Sequence, residues 1–313
     1  MKFACIVPTR DRPEPLSRLF DSIRRADMAM EGAVRVIVVD NSGDGTARAR
    51  LPADFPLPIT YVHEPRPGTS RARNRGLGRV AADEHACLLD DDILLPETFF
   101  RDVEAVVAAN PRAGLLGGRV ELFDERDLPL SIKMEHEACT YHGGHSIVSL
   151  VLGCCAVVTR RGLDAEVRFD ERLGPGTTTH SVEDVDFAYR LWKATGAVAY
   201  DPGFFVFHNH GRRTVAEART LLTAYKRGHG AFFCKHVLKG EWSMLRSGYW
   251  FYRSQRQNVP QAKSQDSYST NPNVADLPAL RFEHLLPLFL DGALRFALVA
   301  LRPANAPPFL DAA

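Results

Sequence analysis

Three consecutive acids, Asp90, Asp91 and Asp92, stand between two aliphatic runs in Ala86-Cys-Leu-Leu-Asp-Asp-Asp-Ile-Leu-Leu. Carboxylates clustered beside a buried strand repel one another and lose solvation, so a bound cation is a common way to hold them together. Hard oxygen donors of this kind suit Mg2+ or Mn2+. A second acidic pair, Glu183-Asp184, opens a helical pattern after a Gly-, Pro- and Thr-rich stretch at 169–181. Carboxylates are favoured at a helix N-terminus, and one within reach of a hydroxyl can take its proton. Asp186 in the same helix reads as structural, and Arg190 is placed to pair back onto one of these acids.

Asp40 follows the apolar run 34–39 and leads into Asn-Ser-Gly-Asp-Gly. Taken alone it is equally a turn residue, the phospho-acceptor of a receiver-type domain or a ligand contact. Arg71, Arg73 and Arg75 alternate along a helical stretch that a Thr69 or Ser70 cap would start, a place that favours anions. Arg71 and Arg75 share a face, and Arg73 does not. His208 ends the run Phe204-Phe-Val-Phe and is a candidate metal ligand, with His210 two positions on. His136, His142 and His145 lie in a polar insert and carry no ligand pattern.

These residues need a scaffold. Apolar strands are expected at 3–7, 34–39, 59–62 and 86–89, with helical patterns near 14–26, 69–82 and 96–109. That alternation predicts an α/β fold with a mostly parallel sheet flanked by helices, which binds ligands beyond the carboxyl ends of its strands. Asp11, Asp40 and Asp90 to Asp92 all fall at such ends. Further strands are expected at 115–122 and 149–159, and the 169–181 stretch reads as a mobile, lid-like loop.

In a chain of 313 residues, 39 Lys and Arg nearly balance 38 Asp and Glu, so no global field draws in nucleic acid or an anionic membrane. Charge must act locally. Six cysteines show no CxxC spacing, which argues against a zinc site or a disulfide framework and for a reducing cytoplasm. No apolar run is long enough to span a bilayer.

Five segments in order resemble family 2 glycosyltransferases of the GT-A fold: Ile-Val-Pro-Thr-Arg-Asp-Arg-Pro, Val-Val-Asp-Asn-Ser-Gly-Asp-Gly-Thr, Gly-Thr-Ser-Arg-Ala-Arg-Asn-Arg-Gly, Leu-Asp-Asp-Asp and Glu-Asp-Val-Asp-Phe-Ala-Tyr-Arg. The resemblance implies a metal-dependent inverting transferase that moves a sugar from a nucleotide diphosphate, most often UDP, to a hydroxyl on a saccharide or lipid-linked acceptor. It implies that Pro8, Thr9 and Asp11 line the base pocket and that Asp40 accepts a hydrogen bond from the base. Arg73 would contact the nucleotide with Asn74 as its support, Asp90 the ribose, and Asp91 the same nucleotide site. Asp92 would hold Mn2+ or Mg2+, with His208 completing the metal site, and Asp184 would be the general base, with Glu183 orienting the acceptor. The rival readings are a sugar nucleotidyltransferase, whose Gly-rich loop is missing from 8–12, and a binding module that does not turn over.

The resemblance places a catalytic domain at 1–213, with a nucleotide half to about 110 and an acceptor half beyond it. A helical region follows over 214–313, with a polar linker at 254–273. The segment from Tyr225 to His236 resembles one found in some polysaccharide-building members; its glycines permit close approach, and its cations would meet acceptor or lipid phosphate. In the last apolar segment, 284–302, the charged or titratable residues His284, Asp291, Arg295 and Arg302 fall on one narrow stripe. The rest of that helix must bury against the catalytic domain, a second subunit or the inner face of a membrane.

Overall fold

The computed structural model describes residues 1–27, 33–52, 54–143, 147–256 and 285–301. His145, His284, Arg302 and most of the expected polar linker therefore lie outside the described residues. The N-terminal half alternates as expected: β1 (Lys2–Thr9), α1 (Pro13–Asp27), β2 (Val34–Asp40), β3 (Ile59–His63), α2 (Thr69–Leu77), β4 (Glu84–Leu89), β5 (Ile93–Leu94) and α3 (Phe99–Ala109). Then follow β6 (Leu115–Leu122), β7 (Cys139–Tyr141), β8 (Cys155–Val158), α4 (Arg160–Asp164), α5 (Glu183–Thr195) and β9 (Val198–His208). Three longer helices close the described chain: α6 (Val215–Leu238), α7 (Ser243–Arg256) and α8 (Leu285–Ala300).

The strands form one sheet in the order β3-β2-β1-β4-β8-β6-β9-β5, with β7 beside β9. The pairs among β1 to β4 are parallel, as is β6 with β9, whereas β8 runs antiparallel to both its neighbours. Alternation along β1 assigns its side chains to two cores. Ala4 and Ile6 join the layer that includes Phe187 and Tyr200, and Phe3, Cys5 and Val7 join the layer under Leu19 and Phe100. Each large apolar chain so buried contributes about 1.5–3 kcal/mol. Gly76 brings α2 tight against β1, because a Cβ there would meet the Ile6 side chain at 2.3 Å.

Register sets the site. Thr9 pairs with Asp40 and Asp40 with His63, so the first three strands end level. Ile93 pairs with His208, which brings that histidine beside Asp92 from more than a hundred residues away. Two expectations change. The strand expected over 149–159 is confined to Cys155–Val158, because 149–154 turns to form a wall of the cleft. The 169–181 loop is fastened to α2: Asn74 exchanges two hydrogen bonds with the Phe169 backbone, at 3.0 and 2.8 Å, and Ser70 donates to the Leu173 carbonyl at 2.7 Å. It is a clamped wall, since the amide of a helix side chain satisfies the loop's own backbone groups.

The C-terminal helices join the same interior. Phe232, Phe233, Phe251 and Phe296 belong to the core layer that contains Ile6 and Phe187. Below α5 lies a buried ionic cluster in which Asp186 meets Lys235 at 2.6 Å, Arg190 at 2.7 Å and His236 at 3.1 Å. Asp186 is structural and Arg190 pairs back on it, as the helical spacing predicts. Two cations of the segment from Tyr225 to His236 are thus committed internally, Lys235 to Asp186 and Asp170, and Arg227 to Asp291.

Candidate active site

A cleft of about 480 Å³ opens beyond the carboxyl ends of the central strands. Its lining includes Pro8, Thr9, Arg73, Asp90, Asp91, Asp92, Glu183, Asp184 and His208. Nine of the eleven site residues expected from sequence therefore share one cavity; Asp11 and Asp40 do not.

Asp40 is fully buried beside the cleft, with its acceptors taken up by its own loop and by Tyr61 of β3. Oδ1 accepts from the Ser42 amide and hydroxyl at 3.0 and 2.6 Å, and Oδ2 from the Ala47 amide and Tyr61 hydroxyl at 2.8 and 2.9 Å. Burial would raise this carboxyl, but those hydrogen bonds outweigh it and hold Asp40 below the usual range. Asp40 thus holds its turn and stands outside the lining of the cleft, whereas the next residue, Asn41, lines it and receives the Gly68 amide at 2.8 Å. Nothing in the sequence around Asn41 separated it from a turn residue. Asp11, with φ of 53°, points away to Thr46 and borders a smaller cavity.

The three acids part ways at the end of β4. Asp90 accepts from Arg73 at 2.8 Å. Asp91 accepts from the Thr9 hydroxyl at 2.8 Å and from Arg12 at 2.7 Å. Asp92 accepts from the other arm of Arg12 at 2.9 Å, and its second oxygen lies 3.4 Å from His208 Nε2. Arg12 thus lays its guanidinium across two carboxylates, a position the sequence did not single out because its partners lie about eighty residues on. Burial pushes Asp91 up to about 7 in spite of Arg12. Burial also acts on Asp92, but there His208 and Arg12 prevail and the carboxyl falls below its ordinary value.

His208 bears on a metal. Its Nδ1 lies 3.1 Å from the Ser131 carbonyl, which can only accept, so the ring proton belongs on Nδ1. Nε2 then turns its lone pair toward a carboxylate, an arrangement that requires either a second ring proton or a cation between the two. Asp92 and His208 fit a divalent ion in this respect. Among the described residues no group of three or more His, Cys, Asp and Glu is set to hold one. Asp92 and His208 would be its protein ligands, and phosphate oxygens and water could fill other positions, as Mg2+ and Mn2+ commonly accept.

Arg73 is the hub. Almost fully buried, it reaches Asp90, the Glu183 carboxylate at 3.0 Å and the Gly153 carbonyl at 3.2 Å, with its guanidinium 5.5 Å from the Phe169 ring. Its hydrogen bonds go to protein groups, so it joins the strand-end acid to the acidic helix start. Arg71 and Arg75 are bound instead to Glu171 and to the buried Glu64. Glu183 is pushed up to about 7 by burial and the neighbouring Asp184 charge, against the pull of Arg73. Asp184 is half-buried; the Gly153 amide donates to its Oδ2 at 3.1 Å, and burial leaves its carboxyl above the usual value. His136 and His142 are exposed outside the cleft, and His210 is buried near Asp127, with its imidazole pushed down to about 4 by burial and the charge of His208.

Comparison with known proteins agrees with this geometry. The profile of Glycosyl transferase family 2 matches residues 4–158. A pre-mycofactocin glycosyltransferase of Mycobacterium tuberculosis is 29% identical over 216 residues, which cover 66% of this chain and 42% of that one. The chain thus spans less than half the length of that curated relative. The succinoglycan biosynthesis protein ExoM of Rhizobium meliloti is 25% identical over 250 residues, covering 77% of this chain and 79% of that one. Among solved structures, the mannosyltransferase PcManGT of Pyrobaculum calidifontis, in complex with GDP-Man and Mn2+, superposes with a TM-score of 0.53 at 17% identity, covering 95% of this chain and 86% of that one. With its parallel strands delivering acids to one cleft and the family profile running from β1 to β8, residues 4–158 belong to glycosyl transferase family 2, and the chain has the GT-A fold.

Proposed function

We propose that this chain transfers a sugar, with inversion at the anomeric carbon, from a nucleotide diphosphate, UDP by preference, to a hydroxyl of a saccharide or lipid-linked acceptor. The observation that carries the reading is the single guanidinium of Arg73, which ties Asp90 on the donor side to Glu183 on the acceptor side of one cleft. Pro8, Thr9 and Asn41 border the end where the nucleotide would lie, with Asp90 facing its ribose. Asp92 and His208 would hold Mn2+ or Mg2+, which when bound neutralises the diphosphate and its departing charge. Asp184 takes the acceptor proton as the acceptor oxygen bonds to the anomeric carbon and the bond to the diphosphate breaks. Its raised carboxyl makes it a stronger base than an exposed one, and the Gly153 amide fixes its orientation. Glu183, held by Arg73, orients the acceptor.

The test is product analysis with purified protein, Mn2+ and a panel of UDP, dTDP and GDP sugars. Release of nucleoside diphosphate that EDTA abolishes supports the proposal. Pyrophosphate release would replace it with nucleotidyl transfer, and tight donor binding without turnover to any hydroxyl acceptor would replace it with a binding module.

A further inference from the structure

Helix α8 is amphipathic with its polar side turned inward. Asp291 receives Arg227 of α6 at 2.6 Å and Arg295 of its own helix at 2.9 Å. Gly292 and Gly230 let the two backbones touch, since a Cβ at either would fall 1.8 Å from a carbonyl oxygen of the opposite helix. Phe296 is buried on this side, 5.0 Å beneath the Arg172 guanidinium. With ion pair, glycine and phenylalanine facing α6, the other side of α8 is left with Leu286, Leu290, Leu294, Leu298 and Leu301, each 44 to 76% exposed.

Spacing argues against a coiled-coil partner for these leucines. Steps of four, taken three times from 286 to 298, advance the side chain by about 120° around the helix, whereas a 3.5-residue repeat stays on one seam. A broad apolar face fits a plane. Helix α7 lies beside α8 on the same support, its Phe251 and Tyr252 rings 5.7 and 6.3 Å from Phe233 and Phe289. Its outward residues are Trp242, just before the helix, Leu245, Tyr249 and Trp250, interleaved with exposed Arg246 and Arg253. Arg253 rests 5.6 Å over the Trp250 ring, and the segment 243–256 contains no acid. Exposed Trp and Tyr among arginines is the composition of the water–lipid boundary, where rings sit at headgroup depth and cations meet lipid phosphate. Among the described residues no helix is long and apolar enough to cross a membrane.

We propose that α7 and α8 together form a face that docks on the surface of a bilayer containing anionic lipid, with the α8 leucines entering the acyl boundary and Arg246 and Arg253 meeting lipid phosphate. This placement does not depend on the reading of the cleft. Co-sedimentation of the full chain with vesicles of phosphatidylcholine, alone or mixed with phosphatidylglycerol, tests it. The chain should sediment with the mixed vesicles and several-fold less with phosphatidylcholine alone. Leu290→Glu with Leu294→Glu should lower partition by about tenfold or more, and Arg246→Gln with Arg253→Gln by about fivefold per arginine on the anionic vesicles only. Both variants should keep the parent's melting temperature, because the altered side chains are exposed. Failure of the parent chain to sediment with the anionic vesicles would overturn the proposal, as would a leucine variant that partitions like the parent. A dimer seen by light scattering that the leucine substitutions split, with vesicle binding unchanged, would assign the face to a second copy instead.

Discussion

Two clusters of carboxylates meet at α5, both reaching its first turn, with opposite electrostatics. Beneath the helix, Asp186 meets Lys235, Arg190 and His236, Asp170 meets Arg172 and Lys235, and Glu241 meets Lys193, His236 and the Tyr189 hydroxyl. Burial disfavours all three charges, yet their partners prevail: Asp186 and Glu241 are held down at about 2, and Asp170 lies below its ordinary value. In the cleft, by contrast, Arg73 must serve Asp90, Glu183 and the nearby Asp184, and Asp91 has only its share of Arg12. There burial wins, and Asp91 and Glu183 rise to about 7. Asp92 is the exception in the cleft, held below its ordinary value by His208 and Arg12. The acids short of positive charge, Asp91 and Glu183, are the ones on which a proton can reside near neutral pH.

The sharpest break in this comparison is Asp184→Asn, which keeps the shape of the cleft and removes the proposed base. Turnover should fall by about 10²- to 10⁴-fold with donor affinity retained, read by single-turnover kinetics beside equilibrium binding; an unchanged rate would take Asp184 out of the chemistry. Next in size is Asp186→Ala, which leaves Lys235 buried beside Asp170 alone. It should cost about 3–5 kcal/mol of stability in denaturant unfolding, and a variant as stable as the parent would mean that this cluster is not structural.

Proton linkage distinguishes the clusters by sign. Glu183 holds its proton to about 7 in the fold against an ordinary 4.5, so the native state binds the extra proton between those values, and its contribution to stability declines as pH rises through that window. Asp186 does the reverse, holding at about 2 against an ordinary 3.8, so its contribution is lost as pH falls through that range. If Glu183 orients the acceptor as proposed, its carboxyl must be ionised, and kcat/KM should drop about tenfold per pH unit below about 7. A profile flat down to pH 5 would remove Glu183 from the rate. The smallest effect concerns Arg12, whose guanidinium stands over Asp91 and Asp92. Arg12→Ala should tighten binding of free Mn2+ by about two- to fivefold, followed by paramagnetic resonance without nucleotide, and weaker binding would show that Arg12 supports the ion instead of competing with it.

Much of this site was legible along the chain. Short apolar runs ending in Asp or Thr announced strand termini, because a buried strand must deliver its first polar residues to an edge. The acids at 90–92 and 183–184 needed no fold to be noticed. Asp40 announced itself in the same way, yet its bonds to the Ser42 and Ala47 amides could not be foreseen, because pattern locates a carboxylate but not the amides around it. Arg73 was chosen for the nucleotide and is committed to Asp90 and Glu183; Arg12 and Asn41 passed unremarked, since their partners come from distant segments. The loop at 169–181 looked free from its glycines and is held by Asn74, a contact across nearly a hundred residues.

The same division runs through α8. Helical periodicity by itself determined that the charges of 284–302 share a stripe and that the remainder is apolar, because the 3.6-residue repeat is local geometry. Which side would turn inward was decided only by tertiary packing, where Gly230 and Gly292 admit backbone contact and Arg227 waits for Asp291. A sequence states which groups share a face; the partner offered by the rest of the fold settles the direction, since burial free energy depends on what is met as much as on what is hidden.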